Sequence, residues 1–308
     1  MNNLQDYTVE CPSFDSFLNS GGASGKRYAV TDYAVSVDAG VIRILNNPVL
    51  NRIFNAIVNA STDLSYGAAV AEGIRITPDN YPSLYRAVES CVDALQLEEP
   101  RVYISPMVQG MNAMTIGSDK EALVELGSLL ASRMSEGELR FVIGHELGHI
   151  AMGHVVYHSV LNTVHTITDL IPLVGDAIYQ MINYPLQGWF RRSELTADRA
   201  GLLCCRDLET AQRALLQVSA GFLDAGAVKI DDYIQDSREQ VRRSALSRLG
   251  ELRWNHPITT RRLEALRLFA SSEKYYRLAC LPVPEGQALL NDEELERQTE
   301  HIVQVIGA

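Results

Sequence analysis

The run Phe141 to Met152 reads Phe-Val-Ile-Gly-His-Glu-Leu-Gly-His-Ile-Ala-Met, and the histidines His145 and His149 inside it constrain the chain more than any other feature. On an α-helix, positions i and i+4 share a face about 6 Å apart along the axis, so two imidazoles can grip one ion. Glu146 then lies beside the first of them, where its carboxylate can reach a water on the metal without binding the ion itself. Ser135-Glu136-Gly137-Glu138 has the form of a capping box opening that helix. Residue types and spacing together point to hydrolysis at a metal centre, with Glu146 as the general base.

Bulk properties narrow the class. Of 308 residues, 46% are hydrophobic and 21% charged, which is ordinary for a globular protein with a sizeable core. A formal charge of -11 argues against a nucleic-acid partner, because phosphate binding draws on clustered Lys and Arg. The five cysteines include no CxxC pair, which suits a reducing compartment better than a disulfide framework. The first residues carry neither the basic nor the apolar region of a secretion signal, so the expected location is cytoplasmic. No window reaches the roughly 18 apolar residues that a spanning helix needs. Val155 to Phe190 comes nearest, interrupted by His158, His165, Asp169, Pro172, Gly175 and Asp176. No integral membrane segment is therefore expected, and peripheral contact through this stretch stays open beside its reading as a packed helical pair or a lid.

Along the chain, residues 1–35 read as a flexible arm, 36–281 as the catalytic domain and 282–308 as an acidic C-terminal segment. Helical periodicity runs from about Asp38 to Ala60 and again from Tyr81 to Leu95. Gly73 to Thr77, Arg101 to Ser105, Met111 to Ile116 and Ala122 to Leu126 are short runs rich in β-formers, which predict a small sheet beside the motif helix. Glu194 to about Cys205, Asp207 to Phe222, Asp231 to Leu252 and Pro257 to Ala279 read as helices. Asp207 is the expected N-cap of the second, and Pro257 a first-turn residue of the last. The expected class is α+β, mostly helical.

Two histidines leave a zinc site incomplete, since a catalytic zinc takes three protein ligands and keeps a fourth position open. Arg191-Arg-Ser-Glu-Leu-Thr-Ala-Asp-Arg-Ala-Gly201 offers the missing group, with Glu194 and Asp198 four apart on one helical face. Glu194 could bind the ion while Asp198 accepts a hydrogen bond from the far ring nitrogen of a zinc histidine. The small residues Gly144 and Gly148, with Ala197, Ala200 and Gly201 opposite, would let the two helices approach closely enough. His154 is rotated about 100° from the direction of a further ligand.

HELGHIAMGH, SELTADRAG and Asn255-His256-Pro257 followed by Arg261 and Arg262 resemble the HtpX-like zinc metallopeptidases, the group that also contains the type I CAAX prenyl proteases. The resemblance runs from about Ile74 to Leu268. It implies a gluzincin, zincin-like fold holding one zinc ion per chain between the motif helix and the Glu194 helix. By that resemblance His145, His149 and Glu194 match the ligands, Glu146 the base and Asp198 the carboxylate behind the ligands. Met111-Asn112-Ala113-Met114 resembles the substrate-aligning edge strand, making Asn112 and Ala113 substrate-binding candidates. Many relatives carry membrane helices between the two zinc motifs, which this chain replaces with the interrupted 155–190 stretch.

The expected activity is therefore endopeptidase action on unfolded or flexible polypeptide segments. A developing oxyanion needs a donor besides the metal. His256 is the candidate, with Arg261 or Arg262 second. His256 could equally fill the open zinc position as a latch, or serve a plain structural role at the start of a helix. A latent or inactive zinc-stabilised scaffold is the alternative from another functional class.

Overall fold

The computed structural model describes residues 32–35, 67–117, 122–152, 175–221, 225–243 and 257–303; of 175–188 and 241–243 only the backbone is described. The Gly21 to Lys26 patch, the expected Asp38 to Ala60 helix, His154, the whole of 155–174 and His256 lie outside the described residues.

Four strands form one mixed sheet in the order β1-β2-β4-β3. They are β1 (Ile74–Arg75), β2 (Arg101–Ser105), β3 (Ala113–Gly117) and β4 (Ala122–Gly127). β2 and β4 run parallel, while β1 and β3 are antiparallel to their neighbours. Central β4 is buried on both faces, as a doubly covered strand is, with Glu125 as the charged residue on the Leu123 face. Its Val124 and Leu126 join the main core, while Leu123 packs with Tyr103 and Ala69 on the other side. β3 starts two residues later than its β-forming run. Asn112 turns its side-chain Oδ1 back to accept the following N–H, from Ala113, at 3.0 Å.

The helices include α1 (Pro82–Leu95), α2 (Ser128–Arg133), α3 (Glu136–Ala151), α4 (Gly175–Cys205), α5 (Leu208–Ala220), α6 (Ile230–Arg243), α7 (Thr259–Ala270), α8 (Glu273–Leu278) and α9 (Asp292–Val303). α1 buries Leu84, Ala87, Val88, Cys91, Val92 and Leu95, one stripe at three- and four-residue steps. α3 is buried almost all round, because α1, α4, α5 and the sheet enclose it. Asp207 caps α5 by accepting the Thr210 N–H at 2.8 Å. No helix among the described residues is long and apolar enough to cross a membrane.

One expected helix is two. Between Pro257 and Ala279 the chain breaks at Ser271-Ser272, where α7 ends and α8 begins. Ser272 caps α8 by accepting the Tyr275 N–H, and its hydroxyl donates to the Phe269 carbonyl at 2.7 Å. Leu290 bonds to the Ser271 carbonyl and the Glu273 N–H, so backbone groups that would have continued the helix pair with a distant segment instead. Pro257 precedes α7 rather than occupying its first turn.

The acidic segment after 291 forms α9, whose inner face buries Leu295, Thr299 and Val303. Glu296 on α9 pairs with Arg199 of α4 at 2.9 Å and with Lys274 at 3.0 Å. Residues 32–35, at the end of the expected arm, also lie on α4, with the Val35 N–H donating to Thr196 and Arg199 donating to the Tyr33 and Ala34 carbonyls.

Candidate metal centre

α3 and α4 cross at a contact built from small residues. A Cβ on Gly148 would sit 2.8 Å from the Ala200 Cβ and 3.1 Å from the Ala197 Cα, closer than carbon atoms pack. A Cβ on Gly144 would meet the Cys204 Sγ at 2.6 Å, and one on Gly201 the Phe141 carbonyl at 2.6 Å. The start of α3 is held by the expected capping box, with Glu138 accepting the Ser135 N–H at 2.8 Å. Gln217 of α5 donates to the other Glu138 oxygen. The helix bearing His145 and His149 is thus fixed at its start and pressed against the helix bearing Glu194.

Across this contact three donor side chains converge. The Nε2 atoms of His145 and His149 are 3.1 Å apart, His149 Nε2 is 3.4 Å from Glu194 Oε1, and His145 Nε2 is 3.7 Å from Glu194 Oε2. Donors about 2.0–2.1 Å from one tetrahedral zinc lie about 3.3 Å from each other, so these separations suit a single small cation. The side chains of His145 and Glu194 each keep 12% exposure, so the cluster is not sealed from solvent as a closed structural site is.

Asp198 stands behind the donors, with Oδ1 3.0 Å from His145 Nδ1. A carboxylate can only accept, so Nδ1 carries the proton and Nε2 presents its lone pair to the centre. Arg262 of α7 then binds both carboxylates. Its Nε and Nη2 donate to Asp198 at 2.8 and 2.6 Å, and its Nη1 lies 3.1 Å from Glu194 Oε2. Burial pulls the carboxyls of Glu194 and Asp198 upward, but the Arg262 guanidinium and the histidine bonds outweigh it and hold both below the usual carboxylate range. Burial lowers His149, yet its bond to Glu194 prevails and raises it. The same two carboxylates raise Arg262. Nor is this a surface charge array: Arg191, Asp198 and Arg199 are all buried.

Arg262 therefore has its fork filled by carboxylates instead of standing ready for an oxyanion, and Arg261 donates to the Ile302 carbonyl. The role of Arg262 was hidden in the sequence, because a guanidinium 64 positions after Asp198 reveals its target only once α7 is placed.

Glu146 is buried on the sheet side of the centre. Its Oε2 accepts the Thr115 hydroxyl, from β3, at 2.6 Å. In the sequence Thr115 carries no signal beyond its place two residues after Ala113 in an alternating strand. Asn112 is exposed and Ala113 buried. The Gly127 N–H donates to the Asn112 carbonyl at 2.9 Å, and Ala113 stands opposite Leu126. By antiparallel alternation, Ala113 and Thr115 turn their main-chain groups to the outer edge of β3, which no other strand pairs among the described residues.

Comparison with known proteins agrees with this geometry. The sequence profile of Peptidase family M48 matches residues 78–270, more than half of the chain. The chain is 24% identical over 243 residues to the plastoglobule-localized metallopeptidase 48 of Arabidopsis thaliana, a match covering 75% of this chain and 70% of that protein. It is 29% identical over 168 residues to a protease HtpX homolog of Nostoc punctiforme, covering 54% of this chain and 53% of the relative. Over a shorter stretch of 66 residues it is 42% identical to protease HtpX of Acinetobacter baumannii, covering 21% and 22%. No solved structure gives a significant match.

Proposed function

The chain belongs to peptidase family M48, and from that premise we propose that it is a zinc-dependent endopeptidase acting on unfolded or flexible polypeptide segments. The observation that carries the reading is the convergence of His145, His149 and Glu194, whose ligand atoms all lie within 4.8 Å of one another, beside a carboxylate that is not among them, Glu146. A purely structural site has no use for that extra carboxylate.

His145, His149 and Glu194 would hold the ion, a nitrogen and oxygen set that suits zinc. Zinc, when bound, supplies the Lewis acidity that makes water a nucleophile near neutral pH and polarises the scissile carbonyl. Glu146 takes a proton from the attacking water and returns it to the leaving amine, so no covalent intermediate on the protein is needed. Asp198 holds His145 in one tautomer and orientation, and Arg262 keeps Asp198 and Glu194 ionised. The outer edge of β3 receives the substrate as an added strand, through the Thr115 N–H and C=O and the Ala113 C=O, beside Asn112. Main-chain recognition makes side-chain selectivity modest and requires an extended substrate.

The test is zinc content measured beside turnover of casein, an unstructured protein, for the full chain. Wild type is expected to bind one zinc and cleave casein, Glu146→Gln to bind zinc without cleaving, and Glu194→Ala to lose the metal. Turnover by Glu146→Gln at the wild-type rate would end the proposal, and stoichiometric zinc in Glu194→Ala would reassign the third ligand.

A further inference from the structure

The side chain of Thr115 belongs to neither the metal set nor the substrate-binding candidates Asn112 and Ala113, yet it joins the two. Its Oγ1 lies 2.6 Å from Glu146 Oε2, and the Glu146 backbone carbonyl, at 3.4 Å, is too distant to compete for the one hydroxyl proton. An ionised carboxylate offers only acceptors, so the hydroxyl donates. Little can disturb that bond. Glu146 keeps 8% exposure, which leaves scant room for water to replace the hydroxyl. Threonine is stiff at χ1, so its Oγ1 goes where the strand puts it. The strand is pinned in turn, because Thr115 stands opposite the fully buried Val124 of β4.

We infer that Thr115 is a positioning residue for the base: it holds Oε2 of Glu146, leaving Oε1 to exchange the proton, and ties that carboxylate to the strand on which the substrate is laid. The inference rests on the peptidase reading above and deepens it. The main-chain N–H and C=O of Thr115 face the outer edge of β3, while its side chain faces α3. One residue thus sets both the register of an added strand and the orientation of the group that works on it. Without the hydroxyl, the carboxylate would be free to rotate away from the attacking water, whereas main-chain pairing of the substrate would be untouched.

That separation predicts a division between kcat and KM. Thr115→Val keeps the size and the β-branch but removes the donor, and Thr115→Ser restores the donor with a smaller side chain. With zinc-loaded full chain and labelled casein, Thr115→Val is expected to lose about tenfold or more in kcat, as removal of a hydrogen bond to a charged group does, with KM within about twofold of wild type. Zinc content and thermal midpoint should match wild type, and Thr115→Ser should recover most of the rate. A Thr115→Val enzyme with wild-type kcat overturns the inference, as does a Ser variant no better than Val. Loss of zinc or of the fold in Thr115→Val overturns it too, since the role would then be structural. Failure of the peptidase reading looks different: wild type would leave casein intact, or Glu146→Gln would cleave it normally, and Thr115 would have no base to position.

Discussion

Arg262 grips Asp198 with two parallel hydrogen bonds, Nε to Oδ2 at 2.8 Å and Nη2 to Oδ1 at 2.6 Å. The second of those oxygens is also the one that His145 Nδ1 meets at 3.0 Å. A cation on α7 is thereby connected through one carboxylate to a histidine on α3, and through Glu194 to the donor set itself. Arg262 thus sets one guanidinium against two largely buried carboxylates.

Its removal should be costly. Arg262→Met leaves Asp198 and Glu194 with the His145 and His149 bonds but no guanidinium, and removing one partner of buried charges in this way costs about 3 kcal/mol or more. Arg262→Lys retains the charge but cannot form the fork, so it should fall between the two. Denaturant unfolding of the metal-free protein measures both, and excess zinc should recover part of the loss by supplying positive charge to the same carboxylates. Equal stability of wild type and Arg262→Met would show the pair to be inconsequential.

Gly148→Ala tests the helix contact. Alanine favours a helix over glycine by about 1 kcal/mol, but its Cβ would lie 2.8 Å from Ala200 and 3.1 Å from the α4 backbone at Ala197, where overpacking costs about 1–3 kcal/mol. Steric cost should win, pushing α3 from α4 next to His149. We expect a lower thermal midpoint and weaker zinc retention against a competing chelator. A stabilised variant with undiminished zinc affinity would mean the helices have room to spare.

Acid should loosen α9 through Glu296. Burial raises this carboxyl, but Arg199 and Lys274 prevail and set it below its usual value. A depressed carboxyl contributes stability above its unfolded pKa of about 4.3, and that contribution is lost as pH falls through the folded value. Wild type should therefore exceed Glu296→Gln in unfolding free energy at neutral pH, and the gap should close as pH drops below about 4. A gap that is constant with pH would assign the effect to packing rather than charge.

How much of this could be read in advance depends on how far each determinant acts. The α3 helix, its capping box and the shared face of His145 and His149 are local, set by neighbours within a turn or two, and they stand in the structure as the spacing implies. Local too are the β-forming runs, although one strand, β3, starts two residues into its run. The meeting of Glu194 with the histidines was legible at long range only because Gly144, Gly148, Ala197, Ala200 and Gly201 advertise a close approach on both helices.

Other features carry no such mark. The chain breaks at Ser271-Ser272 because Leu290 arrives to take its backbone groups, and no pattern within the segment foretells that. Arg262 and Thr115 are ordinary residues on an ordinary helix and strand, one 64 positions from its carboxylate and the other 31 from its own. Sequence alone determined the donor types and their helical spacing, because covalent geometry and helix pitch are properties of the local chain. Which cation balances the carboxylates, and which hydroxyl holds the base, was decided only by tertiary packing. A hydrogen bond acts over about 3 Å, and only the folded chain brings distant residues that close.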